Sequence, residues 1–275
     1  MRNINVKILE DSNFVEDCYA AQTKAFAPAE YIFLKDLIHR HRVKKVLDVG
    51  TGNGIFICGL AEHLPHVSFD AIDADGRLIN KAKEKNRRKN ISYTNALFDS
   101  GFMQKEYDLI HARFAVEHMP DVSGFISEAY KRLNKGGFLL VTEYFISDNY
   151  NGNEIWKLFR QKEYEFYRKF GSHPRISADI PKLYKDSGFS EIDSIFRHIS
   201  PSTVDRHAFY ELVKTYAILY NNLDPETFTD DIKLKMIEYS DHAARDDSKE
   251  DGLLISHTTG RKLTSLKSDA HSNQK

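Results

Sequence analysis

The chain has 275 residues, of which 41% are apolar, and its formal net charge is −1. This allows one large domain, or a core domain with an insert, and excludes a global charge that would draw the protein onto nucleic acid or anionic lipid. The two cysteines fit no metal or disulfide pattern, so no metal site is expected. Because we find no signal peptide and no apolar run near the roughly 20 residues of a membrane span, we expect a cytoplasmic protein. A homodimer remains open.

The first half of the chain predicts an alternation of helices and strands. Two helices come first, over 12–26 and from Pro28 to about residue 41. Strands are then predicted at 45–49, 67–72, 91–94, 107–111 and 138–142. Helices are predicted between them at 55–63, 75–89 and 121–133. Short buried strands separated by helices are typical of a parallel sheet that is covered on both faces.

This alternation is interrupted after residue 145. Residues 146–175 carry many aromatic residues among charges, which predicts one or two amphipathic helices inserted between strands. The pattern then resumes with a helix at 180–187, a strand at 191–199, helices at 202–220 and 225–242, and a last strand at 253–259. The simplest organisation is one domain with a helical cap inserted after the fifth strand.

The stretch VLDVGTGNG, residues 46–54, places three alternating glycines between a strand and a helix. Glycines there let bare backbone approach a ligand. The dinucleotide fingerprint G-x-G-x-x-G would need a third glycine where Ile55 or Ile57 stands, so neither register fits. Asp48, just before the loop, would also oppose a pyrophosphate. The same acid favours a ligand that carries an ammonium group and no phosphate.

This stretch resembles the first motif of class I S-adenosylmethionine-dependent methyltransferases, in which an acid precedes three alternating glycines. The run YDLIHARFAVEHMPD, residues 107–121, is similar to the fourth-strand segment of the UbiE-like small-molecule methyltransferases. The following helix, glycine pair and fifth strand also match, so the resemblance covers roughly residues 43–144. It implies a Rossmann-like, doubly wound, mostly parallel seven-stranded sheet.

The pattern of elements and the resemblance together predict a division of the chain. Residues 1–42 would form N-terminal helices that cover the cofactor site, and 43–145 with 176–262 would form the core that binds S-adenosylmethionine. Residues 146–175 would form the cap, and 263–275 a polar tail.

The resemblance assigns the cofactor site to residues near the ends of four strands. Asp48 would serve the methionine ammonium group, Asp73 both ribose hydroxyls, and Asn95 the adenine, with Asp99 in reserve. Arg113 would hold the cofactor carboxylate or support its turn, and Asp75 would cap the next helix. The full predicted set of cofactor contacts is Asp48, Gly50, Thr51, Gly52, Asn53, Gly54, Asp73, Ala74, Asn95, Ala96, Arg113 and Phe114.

Three residues are candidates for contact with the methyl acceptor. His118 is a possible general base, with a role in fixing the start of the next helix as the alternative. Glu143 and Tyr144 end the fifth strand, beside the expected acceptor position, and their alternative is packing against helices or exposure to solvent. His111 is interpreted as a core residue, and His173 is a weaker candidate in a turn after the cap.

These features predict a methyltransferase that uses S-adenosylmethionine to methylate a small, apolar or aromatic metabolite, since aromatic residues of the cap would lie over the crevice. Two alternatives stay open. One is an enzyme that binds the same cofactor but catalyses a different reaction. The other is a protein or nucleic-acid methyltransferase, or a non-catalytic binding partner with this fold.

Overall fold

The computed structural model describes residues 12–101, 105–145, 153–249 and 251–263. Residues 146–152 of the predicted cap and most of the predicted tail lie outside these ranges. The helices are α1 (Ser12–Arg40), α2 (Ile55–Glu62), α3 (Gly76–Lys85), α4 (Val122–Arg132), α5 (Glu154–Lys169), α6 (Ile176–Asp186), α7 (Arg206–Leu223) and α8 (Asp230–Ala243). The strands are β1 (Lys45–Val49), β2 (Ser68–Asp73), β3 (Ile91–Asn95), β4 (Tyr107–Arg113), β5 (Leu133–Tyr144), β6 (Ser190–Ile199) and β7 (Leu253–Arg261).

The seven strands form one sheet in the order β3-β2-β1-β4-β5-β7-β6. The pairs among β1 to β5 are parallel, whereas β7 runs antiparallel to both β5 and β6. Apolar clusters cover both faces, one containing residues of α4 and α6 and the other containing residues of α1 and α2. The predicted doubly wound, mostly parallel seven-stranded sheet is therefore confirmed.

The prediction of two N-terminal helices is wrong, because α1 is one continuous helix of 29 residues with Pro28 inside it. Proline removes one hydrogen bond from a helix interior and crowds the carbonyl four residues earlier. Here the residues just before it, Ala25, Phe26 and Ala27, are at most 3% exposed. Their packing against the rest of the protein keeps the helix continuous through the proline.

Helix α5 lies in the predicted insert after β5, and its packing partners come from later in the chain. One apolar cluster joins Trp156, Phe159 and Phe166 of α5 to residues of α7, such as Phe209, and of α8, such as Met236. Side chains from the first half of α1 belong to the same cluster. The cap over the sheet is thus built from α5, α7, α8 and part of α1. Among the described residues no helix is both long and apolar enough to cross a membrane.

Removing the N-terminal cap of α7 should destabilise this helical layer. The Asp205 carboxylate accepts a hydrogen bond of 2.7 Å from the backbone N–H of Ala208. We expect Asp205→Ala to lower the free energy of unfolding by about 1 kcal/mol, measured by urea denaturation with an unchanged m-value. Asp205→Asn is the matched control, because asparagine caps equally well and should remain close to wild type. Equal stability of the alanine and asparagine variants would contradict this role.

Candidate active site

A cavity of about 960 Å³ lies at the carboxyl ends of the parallel strands, under the helical layer. It reaches from the glycine loop after β1 to the rings of Phe166, Tyr167, Tyr216 and Tyr220 on α5 and α7. Carboxyl ends of strands are where open α/β sheets bind ligands. One continuous space is thus large enough for a nucleoside-sized molecule together with a second, smaller one.

The glycine loop adopts a backbone that other residues rarely adopt. Gly50, Gly52 and Gly54 have φ of 75°, 59° and 75°. A Cβ on Gly50 would lie 2.6 Å from the Cβ of Ala115, in the turn after β4. Because Gly50 has no side chain, the turn after β1 and the turn after β4 can approach each other closely. Thr51 lines the cavity, and its buried Oγ1 has no hydrogen-bond partner among the described residues.

Asp73, at the end of β2, fixes the loop and also lines the cavity. Its Oδ2 accepts a hydrogen bond from Gly52 N and its Oδ1 accepts one from Asp75 N, each at 2.9 Å. Burial raises the pKa of Asp73 above its ordinary value. Asp75 caps α3 by accepting from Arg77 N, as the sequence predicts. A carboxylate oxygen can accept more than one hydrogen bond, so Asp73 retains capacity for ligand hydroxyl groups.

Asn95 stabilises the turn after β2 in this structure. Its side-chain amide donates to the backbone carbonyls of Asp73 and Ala74, both at 2.9 Å. The cavity wall beside it comes instead from the residues that follow, among them Ala96, Phe98 and Asp99. Of the predicted cofactor contacts, the described cavity wall includes Asp48, Gly50, Thr51, Asn53, Asp73, Ala74, Ala96, Arg113 and Phe114 but not Gly52, Gly54 or Asn95.

Asp48 is paired across the centre of the sheet. Its Oδ1 lies 2.9 Å from Nδ1 of His111, the residue opposite it on β4. His111 is 1% exposed, and its Nε2 has no partner among the described residues. Asp48 itself still lines the cavity. The pair holds the carboxylate in place at the end of β1, with the cavity on its other side.

Arg113 is bound to α1. Its guanidinium donates to both carboxylate oxygens of Glu30, at 2.8 to 3.0 Å, and to Oε1 of Gln22 at 2.8 Å. It also lies over the rings of Phe56 and Phe114. Its charge is therefore balanced within the protein, and its position links α1 to the turn that ends β4.

The turn after β4 has a strained backbone, and hydrogen bonds to the Glu143 side chain stabilise it. Phe114 has a φ of 48°, which is uncommon for a residue with a side chain. The next three backbone N–H groups, of Ala115, Val116 and Glu117, all donate to Oε1 of Glu143, at 3.0, 2.6 and 3.3 Å. Burial raises the pKa of Glu143. Glu143, predicted to contact the acceptor, does not belong to the described cavity wall and stabilises this turn.

His118 and Tyr144 do line the cavity. The Nδ1 of His118 lies 3.0 Å from Oγ of Ser172, and burial lowers the pKa of this histidine to about 4. Tyr144 stacks on Phe114, with the ring centroids 4.4 Å apart, and its hydroxyl lies 3.1 Å from that of Tyr216. His118 is therefore neutral near pH 7.

Sequence analysis missed several residues of the cavity wall. Glu117, inside the run that also contains His118, is 2% exposed and faces the cavity. Tyr19 and Gln22 come from α1, and Tyr216 and Tyr220 from α7. The E-H pair in the fourth-strand motif was a usable signal for Glu117. The described residues contain no group of three His, Cys, Asp or Glu side chains placed to hold a metal ion.

Comparison with known proteins places this arrangement in a family. Residues 19–204, more than half of the chain, match the family described as a methyltransferase domain. The chain is 26% identical over 173 residues to a carboxy-S-adenosyl-L-methionine synthase of Nautilia profundicola, covering 56% of this chain and 72% of that protein. It is 30% identical over 108 residues to the ubiquinone/menaquinone biosynthesis C-methyltransferase UbiE of Allorhizobium ampelinum, covering 36% of this chain and 41% of that protein. The chain thus spans less than half of the UbiE protein.

A solved structure shows the same fold. The phosphoethanolamine N-methyltransferase 2 of Haemonchus contortus, in complex with phosphomonomethylethanolamine and S-adenosylhomocysteine, superposes with a TM-score of 0.53 at 19% identity. The match covers 80% of this chain and 49% of that one.

Replacing His118 should flatten the acid side of the stability profile. The pKa of His118 is about 4 in the folded protein, against an ordinary value of 6.5, so between these values the unfolded chain binds a proton that the folded protein does not. Wild-type stability should fall as the pH drops from 6.5 to 4, and His118→Gln should remove up to about 3 kcal/mol of that fall. Urea unfolding at stepped pH measures it. Burial also lowers the pKa of His257 to about 4, and the contribution of His257 to the pH dependence of stability is the same in both proteins. An identical slope in the variant would contradict the assignment.

Proposed function

The chain belongs to the methyltransferase-domain family, as its sequence predicts, and on that premise we propose that it transfers a methyl group from S-adenosylmethionine to a small metabolite enclosed in the cavity. The observation that carries this proposal is one continuous cavity that joins the glycine loop and Asp73 to an aromatic compartment under the helical layer. A cofactor at the first end and an acceptor at the second would share a space shielded from water.

The residues at the strand ends fit S-adenosylmethionine. The bare backbone at Gly50, the unpartnered Oγ1 of Thr51 and the carboxylates of Asp48 and Asp73 all border the same end of the cavity. A ligand with an amino-acid part and ribose hydroxyls offers donors for these carboxylates. Asp48 would hold the ammonium group, Asp73 the ribose, and the segment from Ala96 to Asp99 would border the adenine.

The cofactor, when bound, supplies a methyl group on a positively charged sulfur that needs no further activation. The protein's own contribution is to align the acceptor and to exclude water. The Arg113–Glu30 ion pair ties α1 to the turn that ends β4, and α1 contributes Tyr19 and Gln22 to the cavity wall. His118 and Tyr144 both line the cavity, and His118, which is neutral near pH 7, can form a hydrogen bond with the acceptor.

We propose a small molecule as the acceptor because the compartment is bounded by rings from α5 and α7 and by α1. A protein or nucleic-acid substrate would need an open cleft with a charged rim. The alternative of a non-methylating reaction on the same cofactor remains, and the carboxy-S-adenosyl-L-methionine synthase is a relative whose name is not that of a methyltransferase. Cytoplasmic location and a homodimer stay predictions.

Asp73→Ala should weaken S-adenosylmethionine binding, because the alanine removes the acceptors expected for the ribose hydroxyls and the contact that holds Gly52. We expect a loss of at least about tenfold in affinity by calorimetry, with NAD giving no heat in either protein. Asp75→Ala is the matched control, since this neighbouring acid caps α3 and should change the affinity far less.

The reaction is tested by incubating the protein with S-adenosylmethionine and fractions of a small-metabolite extract, and by following S-adenosylhomocysteine together with a product heavier by one methylene. Tight binding of NAD at the glycine loop, or no binding of S-adenosylmethionine, would contradict the proposal. A product of any other mass would favour the non-methylating alternative.

A further inference from the structure

Glu117 is a buried acid of the cavity wall that forms no ion pair with a lysine or arginine of the described residues. It is 2% exposed and lines the cavity. Among the described residues its carboxylate has one recorded polar contact, 3.5 Å from Nε2 of His118. This is longer than a hydrogen bond, and His118 is neutral near pH 7 because burial lowers its pKa to about 4. A buried carboxylate normally has a charged or hydrogen-bonding partner, which a ligand in the cavity could supply.

The charged groups around Glu117 do not supply that partner. Glu143 from β5 and Glu163 and Arg160 from α5 are the charged residues that act on it. Arg160 forms an ion pair with Glu163, and Glu143 accepts backbone N–H groups. Burial, reinforced by the carboxylates of Glu143 and Glu163, raises the pKa of Glu117 well above its ordinary value. Its surroundings therefore favour the protonated form of Glu117, and a bound cation would favour the ionised form.

Aromatic faces surround the same part of the cavity. Tyr216 and Tyr220 stack with their ring centroids 5.5 Å apart, and the ring of Tyr167 lies 6.0 Å from that of Tyr220 in an edge-on arrangement. Their hydroxyl groups are engaged with Gln22, with Glu163 and with one another. All three tyrosines line the cavity, and aromatic rings attract cations.

Basic side chains of the cavity wall are already neutralised. Arg113 donates to Glu30, Arg77 to Asp75 and Lys131 to Glu128. We call the part of the cavity bordered by Glu117, Tyr167, Tyr216 and Tyr220 the inner compartment. It combines an acid that has no ion-pair partner among the described residues with tyrosine rings. An apolar neutral acceptor would leave the acid unpaired, and an anionic acceptor would oppose its ionisation.

We propose that the inner compartment binds the cationic head of a small amine, with Glu117 as its counter-ion and the rings of Tyr167, Tyr216 and Tyr220 around it. This inference rests on the proposed function and names its substrate class: the methyl acceptor is the amine nitrogen. Glu117 then takes a proton from the ammonium group. The N–H bond breaks, an O–H bond forms on the carboxylate, and the nitrogen regains its lone pair. The body of the amine packs on Phe166 and Leu219.

The test compares two molecules of one shape, choline and its neutral isostere 3,3-dimethylbutan-1-ol, by calorimetry with S-adenosylhomocysteine present. We expect choline to bind wild type at least about tenfold more tightly than the alcohol. Because a bound cation favours the ionised form of Glu117, choline binding at pH 7 should release protons, measured in two buffers of different ionisation enthalpy. In Glu117→Gln the preference and the proton release should both disappear, with binding of the alcohol unchanged.

The control Glu165→Gln removes one charge from α5 at a half-buried position that is not part of the cavity wall, and it should behave as wild type. Tyr216→Phe keeps the ring and should keep the preference for choline, whereas Tyr216→Leu should lose it. If thermal unfolding shows that Glu117→Gln is not folded, the two Tyr216 variants still test the proposal. The proposal would be overturned if wild type bound the two molecules equally, or if it did not bind choline at millimolar concentration. It would also be overturned if Glu117→Gln bound both molecules as wild type does. If S-adenosylhomocysteine binds and choline does not, this inference alone fails; if S-adenosylhomocysteine does not bind, the proposed function fails.

Discussion

The pairing of β1 with β4 at the centre of the sheet determines where the cavity lies. From β1 the chain goes outward to β2 and β3, and it returns on the other side as β4. The connections after β1 and β4 therefore lead in opposite directions and leave a crevice between them. Gly50 lets the turn at Ala115 come close, and Asp48 meets His111 in the same layer. Helix α1 then covers the crevice through the Arg113–Glu30 ion pair.

The buried acids around this crevice differ in how each is satisfied. Glu30 is matched by Arg113, Glu163 by Arg160 and Tyr220, and Glu143 by three backbone N–H groups. Each of these three stabilises a local piece of structure. Glu117 lies among them without such a partner and faces the cavity. Among the described residues, Glu117 therefore differs from these three acids by facing the cavity without an ion-pair partner.

Local patterns were sufficient for the strands and for the glycine loop, because apolar runs and alternating glycines are properties of consecutive residues. The proline signal at Pro28 failed, since the packing of nearby Phe26 against distant residues such as Phe114 and Tyr144 keeps the helix continuous. The Asp48–His111 pair and the support that Glu143 gives to a neighbouring turn depend on which strands are adjacent. The packing of α7 and α8 on α5 joins segments far apart in the chain, so no local pattern reveals it.

The antiparallel direction of β7 has a practical consequence for handling the protein. The strand begins beside Tyr144, at the cavity edge of the sheet, and ends beside Phe138. Lys262 then exchanges backbone hydrogen bonds with Gly136 and Gly137, at the opposite edge. A dye or a surface tether joined on this side of β7 would therefore start from the far edge of the sheet, leaving the mouth of the crevice accessible to small molecules in solution.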